Sequence, residues 1–176
     1  ASFVPDSWLH PTPTVSMAAV STSAFLDAIV NVDRSIRFFQ AASAEVFGRP
    51  TESPQTESTP IAPITPYGAG KALALFLTRM YRERFDLHAS TGILFNHESP
   101  RRPEQFVTRK VTRAAAAISL GLESELRLGN LDAARDWSFA GDTVRGVALM
   151  VESDKPGEYV LASRSEEHTS ELQSRQ

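Results

Sequence analysis

The sequence contains no cysteine, which excludes disulfides and thiolate metal sites. It has no unbroken apolar run approaching the roughly 18 residues a membrane span needs, so no membrane partner is expected. A cationic start followed by an apolar segment is also missing, so no secretory signal is visible and the cytoplasm is the expected compartment. Ala1 opens on Ser-Phe-Val without an initiator Met, and the natural N-terminus is expected upstream. Positive charge is not in excess: the formal net charge is −3, which argues against general nucleic-acid binding. Among the nine glycines there is no Gly-x-x-Gly-x-x-Gly turn, the backbone cradle that seats a dinucleotide diphosphate at a helix N-terminus.

What is present is enough apolar material for a core. Hydrophobic residues make up 41% of 176 positions, the size of one compact domain. The spacing of Ala18, Ala19, Phe25, Leu26, Ile29 and Val30 predicts a helix over 15–32. Residues 36–42 form a short apolar run, read as a buried strand. A loop follows, punctuated by Pro50, Pro54, Pro60, Pro63 and Pro66. Helical period returns over 67–85, and 89–95 is a second strand. Residues 96–105 read as a polar loop with Pro100 and Pro103. An alanine-rich helix is expected over 106–120, stopped by Gly121. A short strand at 126–128, an amphipathic helix at 142–152 and a last strand at 159–162 complete the pattern. Strands alternating with helices predict an α/β fold with a parallel sheet and helices on its faces.

Two short constellations carry chemistry. In Tyr67-Gly-Ala-Gly-Lys71, an i, i+4 spacing on a helix puts phenol and ammonium on one face. A nearby cation favours phenolate, so Lys71 would draw the Tyr67 hydroxyl toward the working pH range. The same spacing also fits a surface pair. In Ser43-Ala-Glu45, directly after the first strand, residues i and i+2 of an extended chain project to one side. A hydroxyl and a carboxylate would then share the C-terminal mouth of a sheet, where open α/β folds place ligands. A helix N-cap is the alternative reading of that Ser.

The order of strand end, proline-rich loop and Tyr67 opening a helix resembles the extended short-chain dehydrogenase/reductases. The string Arg37-Phe-Phe-Gln-Ala-Ala-Ser-Ala-Glu-Val-Phe-Gly48 is similar to that group's strand and active-site turn. Thr65-Pro-Tyr-Gly-Ala-Gly-Lys71 is similar to its catalytic helix start. Gly92-Ile-Leu-Phe-Asn-His-Glu-Ser-Pro-Arg-Arg102, then Phe106-Val-Thr-Arg-Lys110 and Leu128-Gly-Asn-Leu-Asp-Ala-Ala-Arg-Asp-Trp137, resemble one family in particular, the GDP-mannose 4,6-dehydratases. The resemblance runs from about Ser2 to Ser163.

That resemblance implies part of a Rossmann-type doubly wound parallel sheet over 1–163. The glycine-rich N-terminal βαβ unit and the C-terminal substrate region would be missing. It implies a lyase whose full-length form dehydrates GDP-mannose with NADP, as a homo-oligomer, a tetramer. The implied catalytic residues are Ser43, Glu45, Tyr67 and Lys71; cofactor contacts are Tyr67, Lys71, His97 and Arg102. Asn96 matches a sugar-contacting position, and Lys110 and Arg135 are candidates for the GDP diphosphate. No metal ligand set is implied. Ser43 stands where the family has Thr and keeps the hydroxyl. Ala44 replaces a Ser and leaves Glu45 as the acid/base for water loss. Alternatives are a related nucleotide-sugar epimerase or reductase, or a non-catalytic misassembled fragment. Residues 164–176 resemble the in-frame translation of a sequencing-library adapter and are expected to be a non-native tail, so His168 is not read as a ligand.

Overall fold

The structure, a computed structural model, describes residues 3–164 and the backbone of 166–168. The chain divides into two compact units: Ala1–Phe95 with Thr143–Leu161, and Asn96–Asp142 with Ala162–Gln176.

In the first unit, a short helix α1 (Asp6–Leu9) leads into α2 (Pro11–Val32), then strand β1 (Phe38–Ala41). A 3-10 turn (Ala44–Val46) and the proline-rich loop follow, then α3 (Pro66–Phe85) and β2 (Ala89–Leu94). Pro66 sits in the first turn of α3, where its missing N–H costs nothing. Asp86 closes that helix in the left-handed conformation, φ 53°. β1 and β2 pair in parallel, Phe38 opposite Ala89 and Ala41 opposite Gly92. β2 pairs in parallel with the strand Glu158–Leu161, giving a three-stranded sheet with β2 in the middle.

Two clusters form the core of this unit. Leu26 and Ile29 of α2 pack with Leu87 and Ala89 at the start of β2. Ala42, Val46 and Phe47 pack with Ala72 and Leu75 of α3 and Ile93 of β2. Gly92 lets the Phe39 ring approach β2 closely, since a Cβ there would meet it at 2.9 Å. α2 is long and apolar enough to cross a membrane by length and composition, with mean hydropathy 1.5 along its most apolar stretch. This corrects the expectation drawn from unbroken runs: Ser and Thr interrupt the run without making the helix polar. α2 packs on α3 and buries Thr22, Leu26 and Ile29.

In the second unit, β3 (Asn96–Glu98) pairs in parallel with β4 (Ala134–Phe139), Asn96 opposite Trp137. α4 (Val107–Ser119) lies between them in sequence and ends at Gly121, φ +70°, the expected stop. α5 (Ala140–Glu152) starts in this unit and from Thr143 belongs to the first, as does β5, the Glu158–Leu161 strand already described. β6 (Glu166–His168) pairs antiparallel with β4. The remaining positions of the 164–176 tail lie outside the described residues.

Several expectations need correction. Residues 96–105 are not all loop, because three residues at their start find a strand partner in β4. β4 itself was not anticipated; its sequence Ala-Arg-Asp-Trp-Ser-Phe lacks apolar alternation. Leu126–Leu128 forms no strand. Ile36 and Arg37 precede β1 rather than belonging to it.

Candidate active site

The site is built where α3 begins. The Thr65 side chain caps the helix by accepting from the Gly68 N–H at 3.0 Å. Gly68 lies against the preceding turn so closely that a Cβ would stand 2.6 Å from the Glu45 carbonyl oxygen. The glycine therefore lets the helix that carries Tyr67 and Lys71 touch the backbone of the turn that carries Glu45. These three sequence-predicted residues, with Ser43, belong to one unit and one neighbourhood.

Tyr67 and Lys71 share a helix face as expected, the Lys71 Nζ lying 5.7 Å from the Tyr67 ring centroid. The ammonium donates to the Ala41 carbonyl at 2.8 Å, reaching the end of β1. Burial pushes the Lys71 amine below its ordinary value, because a cation loses hydration there. Both side chains line a groove of about 330 Å³ between α2 and the open edge of β1, with Thr22, Phe38 and Gln40 on its walls.

Ser43 and Glu45 correct the extended-chain argument. The chain turns at once: Ser43 is the N-cap of the 3-10 turn, its Oγ accepting from the Glu45 N–H at 3.3 Å. The capping reading is the observed one, and it orders the turn that presents both half-buried side chains.

The remaining predicted residues lie in the second unit. Asn96 and His97 are on β3, and the Asn96 carbonyl accepts from Ser138 Oγ at 3.3 Å. The Arg102 guanidinium stacks 3.6 Å from the Phe106 ring centroid, and its Nε pairs with Glu98 at 3.1 Å. Thr108 of α4 donates to the same Glu98 oxygen at 2.7 Å. Arg101 is exposed. Lys110 lines a groove of about 430 Å³ with Arg113, Glu123, Glu125 and Arg127. Arg135 does not line it; its guanidinium donates to the neighbouring Ala134 carbonyl at 2.7 Å. Sequence reasoning missed the Thr22–Gln40–Ala41 contacts beside Lys71 and the Glu98 clamp on Arg102. The i, i+4 spacing of Glu98 and Arg102 was a usable signal.

A parallel sheet whose first strand ends in a hydroxyl–carboxylate turn, followed by a helix opening on a Tyr–Lys pair, defines the class: a Rossmann-type fold of the short-chain dehydrogenase/reductase kind. Solved structures bear this out at the level of fold. One described as RMD from Pseudomonas aeruginosa complexed with NADPH matches with a TM-score of 0.93 at 24% identity, over 99% of this chain and 60% of that one. A UDP-N-acetylglucosamine 4-epimerase from Methanobrevibacter ruminantium matches with a TM-score of 0.88 at 24% identity, over 98% and 56%.

The sequence narrows the class to one family. The family model for GDP-mannose 4,6 dehydratase matches residues 1–176, and the chain belongs to that family. The matched range extends past Ser163, where the motif resemblance ended. The chain is 50% identical over 164 residues to a GDP-mannose 4,6-dehydratase of Sinorhizobium fredii, covering 92% of this chain and 47% of that protein. It is 48% identical over 172 residues to GDP-mannose 4,6 dehydratase 1 of Arabidopsis thaliana, covering 96% and 47%. The chain thus spans about half the length of these curated relatives.

Proposed function

We propose that the full-length protein dehydrates GDP-mannose to GDP-4-keto-6-deoxymannose with a nicotinamide dinucleotide, specifically NADP(H). The observation that carries this reading is the junction of Gly68 with the Glu45 carbonyl, which sets a carboxylate turn beside the Tyr67–Lys71 pair. The residues fit one end of such a cofactor. A half-buried ammonium with three donors spends one on the Ala41 carbonyl, beside a phenol in an open groove, which suits a ribose hydroxyl. Nothing in the chain resembles the glycine turn for the diphosphate end. When bound, the nicotinamide would supply reversible hydride acceptance, holding the hydride from C4 until it is returned to C6 while a proton returns to C5.

The protein's own residues move the protons. Tyr67, as phenolate beside the Lys71 cation, takes the proton of the sugar C4 hydroxyl. The Ser43 hydroxyl holds the C4 oxygen. A C5–H is too weak an acid for a carboxylate until C4 is a ketone; Glu45 then removes that proton. It delivers a proton to the departing C6 hydroxyl, which leaves as water. Asn96 contacts the sugar, His97 and Arg102 contact the cofactor, and Lys110 and Arg135 serve the GDP diphosphate. Lys110 lines a groove of mixed charge, in which Glu123 and Glu125 pair with Arg113 and Arg127, so the phosphate assignment rests on the family's pattern and on Lys110 itself. The protein acts in the cytoplasm as a homotetramer, in which the Arg101–Arg102 loop reaches a neighbouring subunit.

The test is product analysis by NMR and mass spectrometry on GDP-mannose with NADP⁺. A product lighter by one water and carrying a C4 ketone is expected. Unchanged substrate, or epimerisation without water loss, would overturn the reading.

A further inference from the structure

We propose that Gln40 and Thr22 are positioning residues for the Lys71 ammonium, acting through the Ala41 carbonyl; this rests on the reading of Tyr67 and Lys71 as the proton-transfer pair. Thr22, on α2, is only 4% exposed, and its hydroxyl donates to Gln40 Oε1 at 3.1 Å. That contact fixes which way the amide faces. Gln40 Nε2 then donates to the Ala41 carbonyl at 3.1 Å, the same oxygen that accepts from Lys71 at 2.8 Å. A carbonyl oxygen has two lone pairs, so both donors are accommodated.

The other end of that peptide is also held. The Ala42 N–H donates to the Gly92 carbonyl of β2 at 2.9 Å. In a trans peptide the carbonyl then points the opposite way, off β2 and toward the groove. The acceptor that seats Lys71 is thus anchored by β2 on one side and by α2, through Thr22 and Gln40, on the other. A lysine side chain has large rotamer entropy to restrain, so a fixed acceptor matters. Tyr67 and Lys71 are the titratable side chains among the described residues lining the groove. Glu45, on the adjoining turn, meets α3 through its backbone at Gly68.

The test uses Thr22→Val, Thr22→Ser and Gln40→Leu in the full-length protein, with and without Lys71→Ala. The first readout needs no substrate: tyrosinate absorbance against pH, with Tyr67 isolated by subtracting a Tyr67→Phe titration. Thr22→Val and Gln40→Leu should move the Tyr67 titration alkaline by about half a pH unit. The same shift lowers kcat about threefold on the acid limb, with KM little changed. Thr22→Ser keeps the hydroxyl and should behave like wild type. In the Lys71→Ala background neither substitution should shift the titration further. An unmoved titration in folded Thr22→Val, or a shift that persists without Lys71, would overturn the proposal. If Gln40→Leu does not fold, the near-isosteric Thr22→Val decides. A titration that shifts as expected in a wild type inactive on GDP-mannose would uphold the positioning role and sink the substrate assignment.

Discussion

Replacing Gly68 with Ala sets two effects of opposite sign against each other. Helix propensity favours Ala over Gly by about 1 kcal/mol in a helix interior, and by less in a first turn. Packing opposes it. The new Cβ would stand 2.6 Å from the Glu45 carbonyl oxygen, 3.2 Å from its carbon and 3.1 Å from Pro63 Cβ. Two of those atoms are backbone and cannot swing aside. Overpacking of this kind costs about 1–3 kcal/mol, so net destabilisation of about 1–2 kcal/mol is expected. A 150–250-residue protein loses about 2–4 °C in Tm per kcal/mol, and a longer one less. Catalysis should suffer more than stability, because relief of the clash moves the Glu45 turn away from Tyr67. A displacement near 1 Å can cost about 10²-fold in rate. The assay is urea unfolding and turnover on GDP-mannose, with Gly70→Ala as the contrast. There the Cβ would meet the Ala18 methyl at 3.3 Å, with the Val15 Cα and Thr14 carbonyl oxygen in ordinary contact at 3.5 and 3.6 Å, so near-normal behaviour is expected. A Gly68→Ala protein as stable and as active as wild type would refute the argued contact.

Three further outcomes are expected. Burial opposes ionisation of Glu158, but the Arg82 and Arg79 guanidiniums at 2.7 and 3.3 Å reverse this and hold its carboxyl below the ordinary 4.5. A lowered folded value stabilises above the unfolded value and is lost as pH falls through the folded one. Glu158→Gln should therefore cost about 1.5–3 kcal/mol at neutral pH, with the gap closing in acid-dependent unfolding as pH falls from the ordinary 4.5 through the lowered folded value. Lys71→Ala should move the acid limb of the turnover profile alkaline, because the phenolate loses its cation; an unmoved profile in an active variant would count against the pair. Residues 1–176 made alone should bind NADP(H) negligibly by calorimetric titration, since no glycine turn is present for the diphosphate; a micromolar dissociation constant at one site per chain would show that seat to be elsewhere.

Much of the first unit was legible because local signals and packing agree. The proline-rich loop, Thr65 and Pro66 announce the start of α3, and period-3.6 apolar positions carry it to Phe85. The chemistry at Tyr67 and Lys71 was readable from i, i+4 spacing, since helix geometry alone decides which residues share a face. What failed depended on partners distant in sequence. β3 is three residues of polar character and exists only because β4 lies beside it. Leu126–Leu128 has the apolar spacing of a strand but no strand partner among the described residues. Ser43 admitted two readings, an extended pair with Glu45 or a cap; its backbone is extended and its side chain caps the turn that follows, so the capping alternative is the one observed. The clamp on Arg102 unites Glu98, Phe106 and Thr108 across a strand end and a helix start. The i, i+4 spacing hints at the Glu98–Arg102 pair, but the part played by Phe106 and Thr108 shows only in the fold.

The most direct test of the account is Glu45→Gln in the full-length protein, assayed for loss of water from GDP-mannose with cofactor content measured in parallel. The account predicts turnover reduced about 10²–10⁴-fold, as expected for loss of a general acid–base group, with bound NADP(H) retained. Near-normal turnover in that variant would show that another group takes the C5 proton and would contradict the assignment of the site.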